Sequence, residues 1–276
     1  NITFDVYNKY TSDLLLQRPV PASSGFSVYW ANVGEVSNKG YELTINSTNI
    51  RNDNFNWTTS FNISGNRNRI EKLPTQITQY TRDWVILKEG YSLNSFWLYE
   101  QLRVDPATGN PVFDGQDENG VVTAEDRKIL HNFYPKFYGG LTNTIKFKQF
   151  DLGALFSFKY GSYALNLQRF FLERNPGTGA NATLLKRWQK PGDITDVPRL
   201  TSAGYNYTLD QNSRYLEDAS FLRLRQLSFG YSLPGSFVEK AGLNNVRLYF
   251  VAANLFILTK YTGDPQTSVT SNPNAH

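Results

Sequence analysis

Tyr41-Glu-Leu-Thr-Ile-Asn-Ser-Thr48 and Phe55-Asn-Trp-Thr-Thr-Ser-Phe-Asn-Ile-Ser64, joined through the polar turn Arg51-Asn-Asp-Asn54, decide how the chain folds. In the first run Tyr41, Leu43 and Ile45 fall on one face, and Glu42, Thr44, Asn46 and Thr48 on the other. In the second, Phe55, Trp57, Phe61 and Ile63 oppose Asn56, Thr58, Ser60, Asn62 and Ser64. Strict alternation is the signature of a strand with two unlike faces, so residues 41–66 are predicted to form an antiparallel hairpin.

The pattern recurs outward from there. Leu141, Ile145 and Phe147 oppose Thr142, Thr144, Lys146 and Lys148. A tight turn near Gln149-Phe150 leads to Leu152, Ala154, Phe156, Phe158 and Tyr160, set against Gly153, Leu155, Ser157 and Lys159. A third hairpin joins 219–233 to 246–256 through Pro234-Gly235 and a short helical connector at 236–242. Within 219–233 the phase slips, from Leu222 and Leu224 to Leu227, Phe229 and Tyr231, which predicts a bulge near Arg225-Gln226. Residues 2–9 read as one more strand, with Ile2, Phe4 and Val6 opposing Thr3, Asp5 and Tyr7. Short connections (49–54, 149–151, 234–245) alternate with long ones (17–36, 69–138, 163–218). Outer-membrane barrels sort their turns and loops in this way. A soluble antiparallel sandwich also alternates, but does not set Lys and Asn rows against aromatic rows while sorting its loops by length. Within the long loops, 164–174 and 181–190 read as short helices and 96–102 as a strand rising above the membrane.

Composition agrees. Aromatic residues make up 15% and charged residues 19% of the 276 residues, which excludes a disordered chain. Mean hydropathy is −0.46. No run approaches the roughly 18 apolar residues of a membrane helix, which leaves a barrel open because its strands average out to soluble values. Cysteine is absent, which removes disulfides, thiolate nucleophiles and Cys-based zinc sites. His131 and His276 are the only histidines, too few for a His-rich metal site or a Ser-His-Asp triad. The +4 net charge is modest and its basic residues are scattered, so nucleic acid is not an expected partner. The chain opens at Asn1 with neither Met nor signal peptide, and is expected to be a piece of a longer precursor or a mature chain.

Five stretches, in order, resemble the SusC/RagA family of TonB-dependent transporters. Asn32-Val-Gly-Glu-Val-Ser-Asn-Lys-Gly-Tyr-Glu-Leu43 is similar to that family's strand-entry motif. Tyr134-Pro-Lys-Phe-Tyr-Gly-Gly-Leu-Thr-Asn143 with Phe150-Asp-Leu152 resembles its next hairpin. Phe221-Leu-Arg-Leu-Arg-Gln-Leu-Ser-Phe-Gly-Tyr-Ser-Leu-Pro234, Asn254-Leu-Phe256 and Tyr261-Thr-Gly-Asp-Pro265 resemble the stretch before its final strand. The resemblance implies a 22-stranded barrel with a plugged lumen, of which this chain is the C-terminal part, residues 1–276, supplying seven or eight strands. It also implies a plug with a TonB-contacting segment and a last strand, both expected to lie outside this chain. A SusD-like surface lipoprotein, outer-membrane lipid and a glycan or peptide oligomer are the partners implied.

Four features bear on chemistry. Asp114-Gly-Gln-Asp117-Glu-Asn119-Gly120-Val-Val-Thr123-Ala-Glu-Asp126 resembles a calcium loop. Setting Gly120 on the loop glycine places Asp117, Asn119, Thr123, Asp126 and the Val121 carbonyl on ligand positions, with Asp114 one residue early of the first. An Asx-rich turn in an exposed loop accounts for the same residues. Adjacent carboxylates at Glu217-Asp218 read as a solvated face, and nothing suggests the paired acids of a glycosidase. Asn175-Pro-Gly-Thr-Gly179 lacks the Gly-Lys-Ser/Thr ending of a phosphate loop and reads as a turn. Trp30, Trp84, Trp97 and Tyr99 fall in the long loops, as partner or ligand contacts or as loop core and interfacial girdle.

The expected function is therefore not enzymatic: TonB-dependent import across the bacterial outer membrane. The alternatives are a barrel with a structural, assembly or interaction role, and a soluble carbohydrate-binding domain, which would purify without detergent.

Overall fold

The computed structural model describes residues 1–20, 22–25, 28–32, 34–73, 84–174, 182–200 and 212–266. Seven long strands make one antiparallel sheet: β1 (Ile2–Thr11), β2 (Glu35–Arg51), β3 (Phe55–Lys72), β4 (Phe137–Phe147), β5 (Phe150–Tyr160), β6 (Phe221–Ser232) and β7 (Arg247–Thr259). Each pairs with the next in chain order, so the sheet is a plain up-and-down wall. All three hairpins expected from the alternation are present, as is the strand at the start. β2 and β3 run to 17 and 18 residues, beyond the roughly 9–11 that cross a bilayer, and their upper parts join the long-loop side.

The register turns the alternation into two continuous faces. One row runs Ile2, Ile45, Phe61, Leu141, Phe156, Leu224, Phe256 across all seven strands. The row beside it, on the opposite face, runs Thr3, Thr44, Asn62, Gly140, Ser157, Arg223, Ile257. Lys159 shares the polar face with Ser157, as expected, because a cation facing lipid at mid-depth costs about 2–4 kcal/mol. On the apolar face Leu248, Phe250 and Leu258 stay 63%, 63% and 61% exposed. Among the described residues no second sheet covers them, so the sheet is not half of a sandwich. The wall is all-β and of the kind that closes into a transmembrane barrel.

Aromatic rows edge the apolar face at both ends. Phe55 and Phe147 (6.3 Å between ring centroids) and Phe150 and Tyr231 (4.7 Å) mark the short-turn end. Phe137 and Tyr160 (5.1 Å), with Tyr41 two strands away, mark the long-loop end. Phe55 to Gly65 is ten residue steps along β3. At about 3.3 Å per residue and about 40° of tilt that spans about 25 Å along the barrel axis, the height of an outer-membrane apolar band. Ser47, Thr59 and Asn143 form one polar row on this face, and Asn143 Oδ1 accepts from Trp57 Nε1 (3.0 Å) and Thr59 Oγ1 (2.7 Å). Paired in this way, its carbonyl escapes most of the cost of a bare polar group in hydrocarbon.

The phase slip in β6 is a bulge. Against β5, Phe156 pairs with Leu224 but Leu155 with Gln226, so Arg225 is the extra residue; against β7 the extra residue lies on β7, where Asn254 sits at φ +53°. At the short-turn end, β4 and β5 are joined through Lys148-Gln149, with Lys148 at φ +52°. Gly235–Val238 is a short helix followed by a further turn at Glu239–Ala241 that closes on Gly242 at φ +70°. The helices expected in the long loops appear as α1 (Leu167–Arg174) and a 3-10 turn at Ala182–Lys186.

The buried apolar side chains lie mostly in those loops. Phe96, Leu98, Leu165, Phe170 and Tyr215 form one cluster, and Val36, Ile70, Leu73 and Leu87 another. Small sheets carry them: Val85–Ile86, Ser95–Leu98 and Lys128–Asn132 in one, Tyr163–Leu165 with Leu216–Asp218 in a second, Gln101–Val104 with Pro111–Phe113 in a third. The single strand expected at 96–102 is instead two, Ser95–Leu98 and Gln101–Val104, in different sheets. Leu98 and Tyr99, adjacent in sequence, are both buried (0% and 3%), which one straight strand with a single covered face does not allow. The stretches 175–179 and 270–276 lie outside the described residues.

Candidate functional site

The polar face is built of hydrogen-bonding side chains held by one another across neighbouring strands and the loop that follows β7. Ser60 Oγ donates to Asn46 Oδ1 (2.7 Å), Arg247 makes a two-point contact with Asp151 (2.7 and 3.1 Å), and Arg223 bonds Asp264 (2.5 Å) and Asn254 (3.3 Å). Such a surface suits the passage of a polar solute.

The 114–126 loop hangs from the hairpin of Gln101–Val104 and Pro111–Phe113. Asp117 Oδ1 accepts the amides of Asn119 (2.9 Å) and Val121 (2.8 Å), and Gly120, at φ +77°, returns its N–H to the Asp117 carbonyl (3.0 Å). Asp126 Oδ2 accepts from the Thr123 amide (2.7 Å) and hydroxyl (3.0 Å). Gly115, at φ +87°, lets the chain close on Asp126: a Cβ there would stand 2.7 Å from Oδ1. Asp114 turns away to Lys128, which also approaches Glu100 at 3.8 Å. The loop is thus an Asx turn and a capping box. Asp117 and Asp126 each commit one oxygen to it. Among the described residues no three acidic or histidine side chains converge as a metal site.

The four aromatic candidates separate. Trp30 is 60% exposed, on Val28–Asn32. Trp84 stands edge-on to Phe170 at 6.0 Å, against the larger apolar cluster. Trp97 is half-buried; the Arg127 guanidinium lies 4.7 Å from its ring and 5.0 Å from that of Tyr99. Tyr99 is enclosed within the chain and packs on Phe113 (6.2 Å). Trp84 and Tyr99 are placed as loop core; Trp30 and Trp97 are presented outward.

A buried ionic network that sequence reasoning missed holds this loop core. Glu173, 1% exposed, receives Arg169 Nε (2.8 Å), Arg214 Nη2 (2.6 Å) and Nε (3.2 Å), and the Thr183 hydroxyl. Glu217 accepts from Arg169 (3.1 Å), Asn166 (3.3 Å) and the Thr262 amide (2.6 Å). Burial pushes the Glu173 carboxyl up, but the Thr183 hydroxyl and the two guanidiniums outweigh it and hold it below the usual carboxylate range. Glu217-Asp218 is therefore not a solvated face: Glu217 anchors α1, and Asp218 accepts from the Ser220 amide (2.9 Å). Its one sequence signal was the Arg169–Glu173 spacing of four on a helix.

A wall with one apolar and one polar face, short turns at one end and built-up loops at the other, defines an outer-membrane-type β-barrel. No family model matches the chain. It is 37% identical to TonB-dependent receptor P3 of Formosa agariphila, over 99% of this chain and 29% of that protein. It is 28% identical to TonB-dependent receptor SusC of Bacteroides thetaiotaomicron, over 98% of this chain and 28% of that one. A solved structure of the RagAB peptide transporter superposes with a TM-score of 0.80 at 31% identity, over 98% of this chain and 31% of the other. Over nearly its whole length the chain matches part of the barrel of TonB-dependent receptors of the SusC/RagA type, and it spans under a third of the length of these relatives.

Proposed function

We propose that the complete barrel to which this chain contributes imports a nutrient oligomer, a glycan or a peptide, across the bacterial outer membrane. Energy is delivered through TonB, and a SusD-like surface lipoprotein closes the barrel from outside. The observation that carries this is the in-register wall, apolar on one face and hydrogen-bonding on the other, joined to a packed loop module at one end only. The kinship with TonB-dependent receptors supports the energy source, and a match to a transporter described as RagAB supports a lipoprotein partner. Exposed Trp30 and half-buried Trp97 are the aromatic anchors we propose for that partner.

The test is uptake of labelled oligosaccharides and oligopeptides by cells whose own copy is deleted and replaced with the full-length receptor. The receptor is supplied intact or without its TonB-contacting segment, and the lipoprotein is followed by co-purification. Import by the intact form alone supports the proposal. Equal uptake by both forms, or by neither, leaves a structural or assembly role.

A further inference from the structure

Just above the aromatic row at the long-loop end, the apolar face changes character. Lys39 follows Tyr41 on the same face of β2, and Arg67 follows Gly65 on β3. The register places Lys39 and Arg67 directly opposite each other. Both are exposed, and like charges so placed repel. Across the end of β4, Lys136 lies over the Tyr160 ring, with Nζ 6.0 Å from its centroid. None of the three cations has a carboxylate within salt-bridge distance among the described residues: Glu71 pairs with Arg69, and Asp218 accepts from Ser220. All three line one notch of about 620 Å³, together with Tyr41, Tyr160 and Asn66. The Asp218 carboxylate lines it too, whereas the Asn66 side chain turns to Asn38 on the polar face.

Three cations without a carboxylate in salt-bridge distance among the described residues, over an aromatic shelf continuous with the apolar band, describe one kind of ligand. Its acyl chains lie along the band, and its anion meets the cations. We propose that this notch seats the phosphorylated headgroup of an outer-leaflet glycolipid, with Lys39, Arg67 and Lys136 on phosphate. The assignment rests on the outer-membrane location proposed above. A phosphate arriving on a soluble molecule shares the anion chemistry but has no use for the shelf.

The full-length receptor in detergent is titrated with bisphosphorylated lipid A, the same glycolipid after phosphatase treatment, and phosphatidylcholine, and bound lipid is read by native mass spectrometry. Lys39→Gln with Arg67→Gln is expected to weaken the bisphosphorylated lipid about 30-fold, at roughly fivefold per surface cation. Lys39→Arg is expected to retain it. Phosphatase-treated lipid is expected to bind as weakly as phosphatidylcholine, and millimolar inorganic phosphate to displace nothing. Equal binding by the parent and the double variant, or of both glycolipid forms, overturns the proposal. Displacement by inorganic phosphate overturns the lipid source and leaves a small-anion site. Insertion into phosphatidylcholine vesicles, followed by the heat-dependent gel shift of a folded barrel, reports the location separately. A parent receptor that fails to insert refutes the membrane reading and this proposal together, whereas one that inserts but ignores phosphate refutes this proposal alone.

Discussion

Replacing Glu173 with alanine removes the one carboxylate that neutralises both Arg169 and Arg214 in the loop core. Arg169 keeps Glu217 at 3.1 Å, but among the described residues Arg214 keeps no carboxylate, only the Asp196 carbonyl at 2.6 Å and the Tyr215 ring at 5.8 Å. The side chains involved are 12%, 4% and 1% exposed for Arg169, Arg214 and Glu173, so solvent does little to screen the loss. Breaking a buried pair from one side costs about 3–5 kcal/mol, most of it the stranded cation. If opening of α1 and its neighbours is governed by that term, amide exchange there accelerates about 10²- to 10³-fold or until the module is fully open. The assay is hydrogen exchange by mass spectrometry on the full-length receptor in vesicles, comparing peptides from 163–174, 182–186 and 213–218 with peptides from β4 and β5. Glu173→Gln keeps an acceptor for Thr183 and should fall between parent and alanine. Exchange within threefold of the parent would refute the network's role. Equal acceleration in β4 and β5 would refute its confinement to the loops.

Three other outcomes follow from the same geometry. Phe156→Arg, on the apolar face, should cost at least about 2–4 kcal/mol of folding stability in lipid, whereas Ser157→Arg, one residue on, should cost under about 1; equal urea midpoints in vesicles would contradict the assignment of faces. Because the Glu173 carboxyl is held below its ordinary range, its stabilisation is complete above the unfolded value and fades as pH falls through the folded one; loop-peptide exchange should therefore rise on acidification below about pH 4 in the parent, and not further in Glu173→Ala. For 114–126 we propose calcium as the ion that would re-aim Asp117 and Asp126; millimolar calcium should then slow exchange at 115–126 in the parent and not in Asp126→Ala, and equal exchange with calcium or chelator would leave the Asx turn and capping box alone.

The wall was legible because lipid and water act on every second residue: Leu141 to Phe147 and Leu152 to Tyr160 carry the alternation in plain sight. Even the slip at Arg225 could be read, since a bulge shifts parity for all that follows it. The loops were harder because their burial is decided at long range. Glu217 looks like a surface carboxylate until Arg169, 48 residues away, folds over it. Tyr99 looks like an offered aromatic until Phe113 covers it. In the 114–126 loop the spacing announced a tight turn correctly, but the direction of Asp114 was set by Lys128 on a separate strand. Lys39 and Arg67 passed unnoticed because only the register shows that two cations 28 positions apart stand side by side.

The two aromatic rows make the wall a ruler. A lone helix that is too long for its bilayer leans over, at modest cost. Here each row is locked across seven strands by its hydrogen-bonded register, so no strand slides without dragging its neighbours. The lipid must therefore do the yielding. A band of about 25 Å lies comfortably in the thin bacterial outer membrane but stands about 5 Å short of an average bilayer of about 30 Å. In such a host the surrounding leaflet would be pinched around the protein, at a fraction of a kcal/mol for each ångström. Bilayer thickness alone would then bias the receptor towards its own membrane and away from a thicker one.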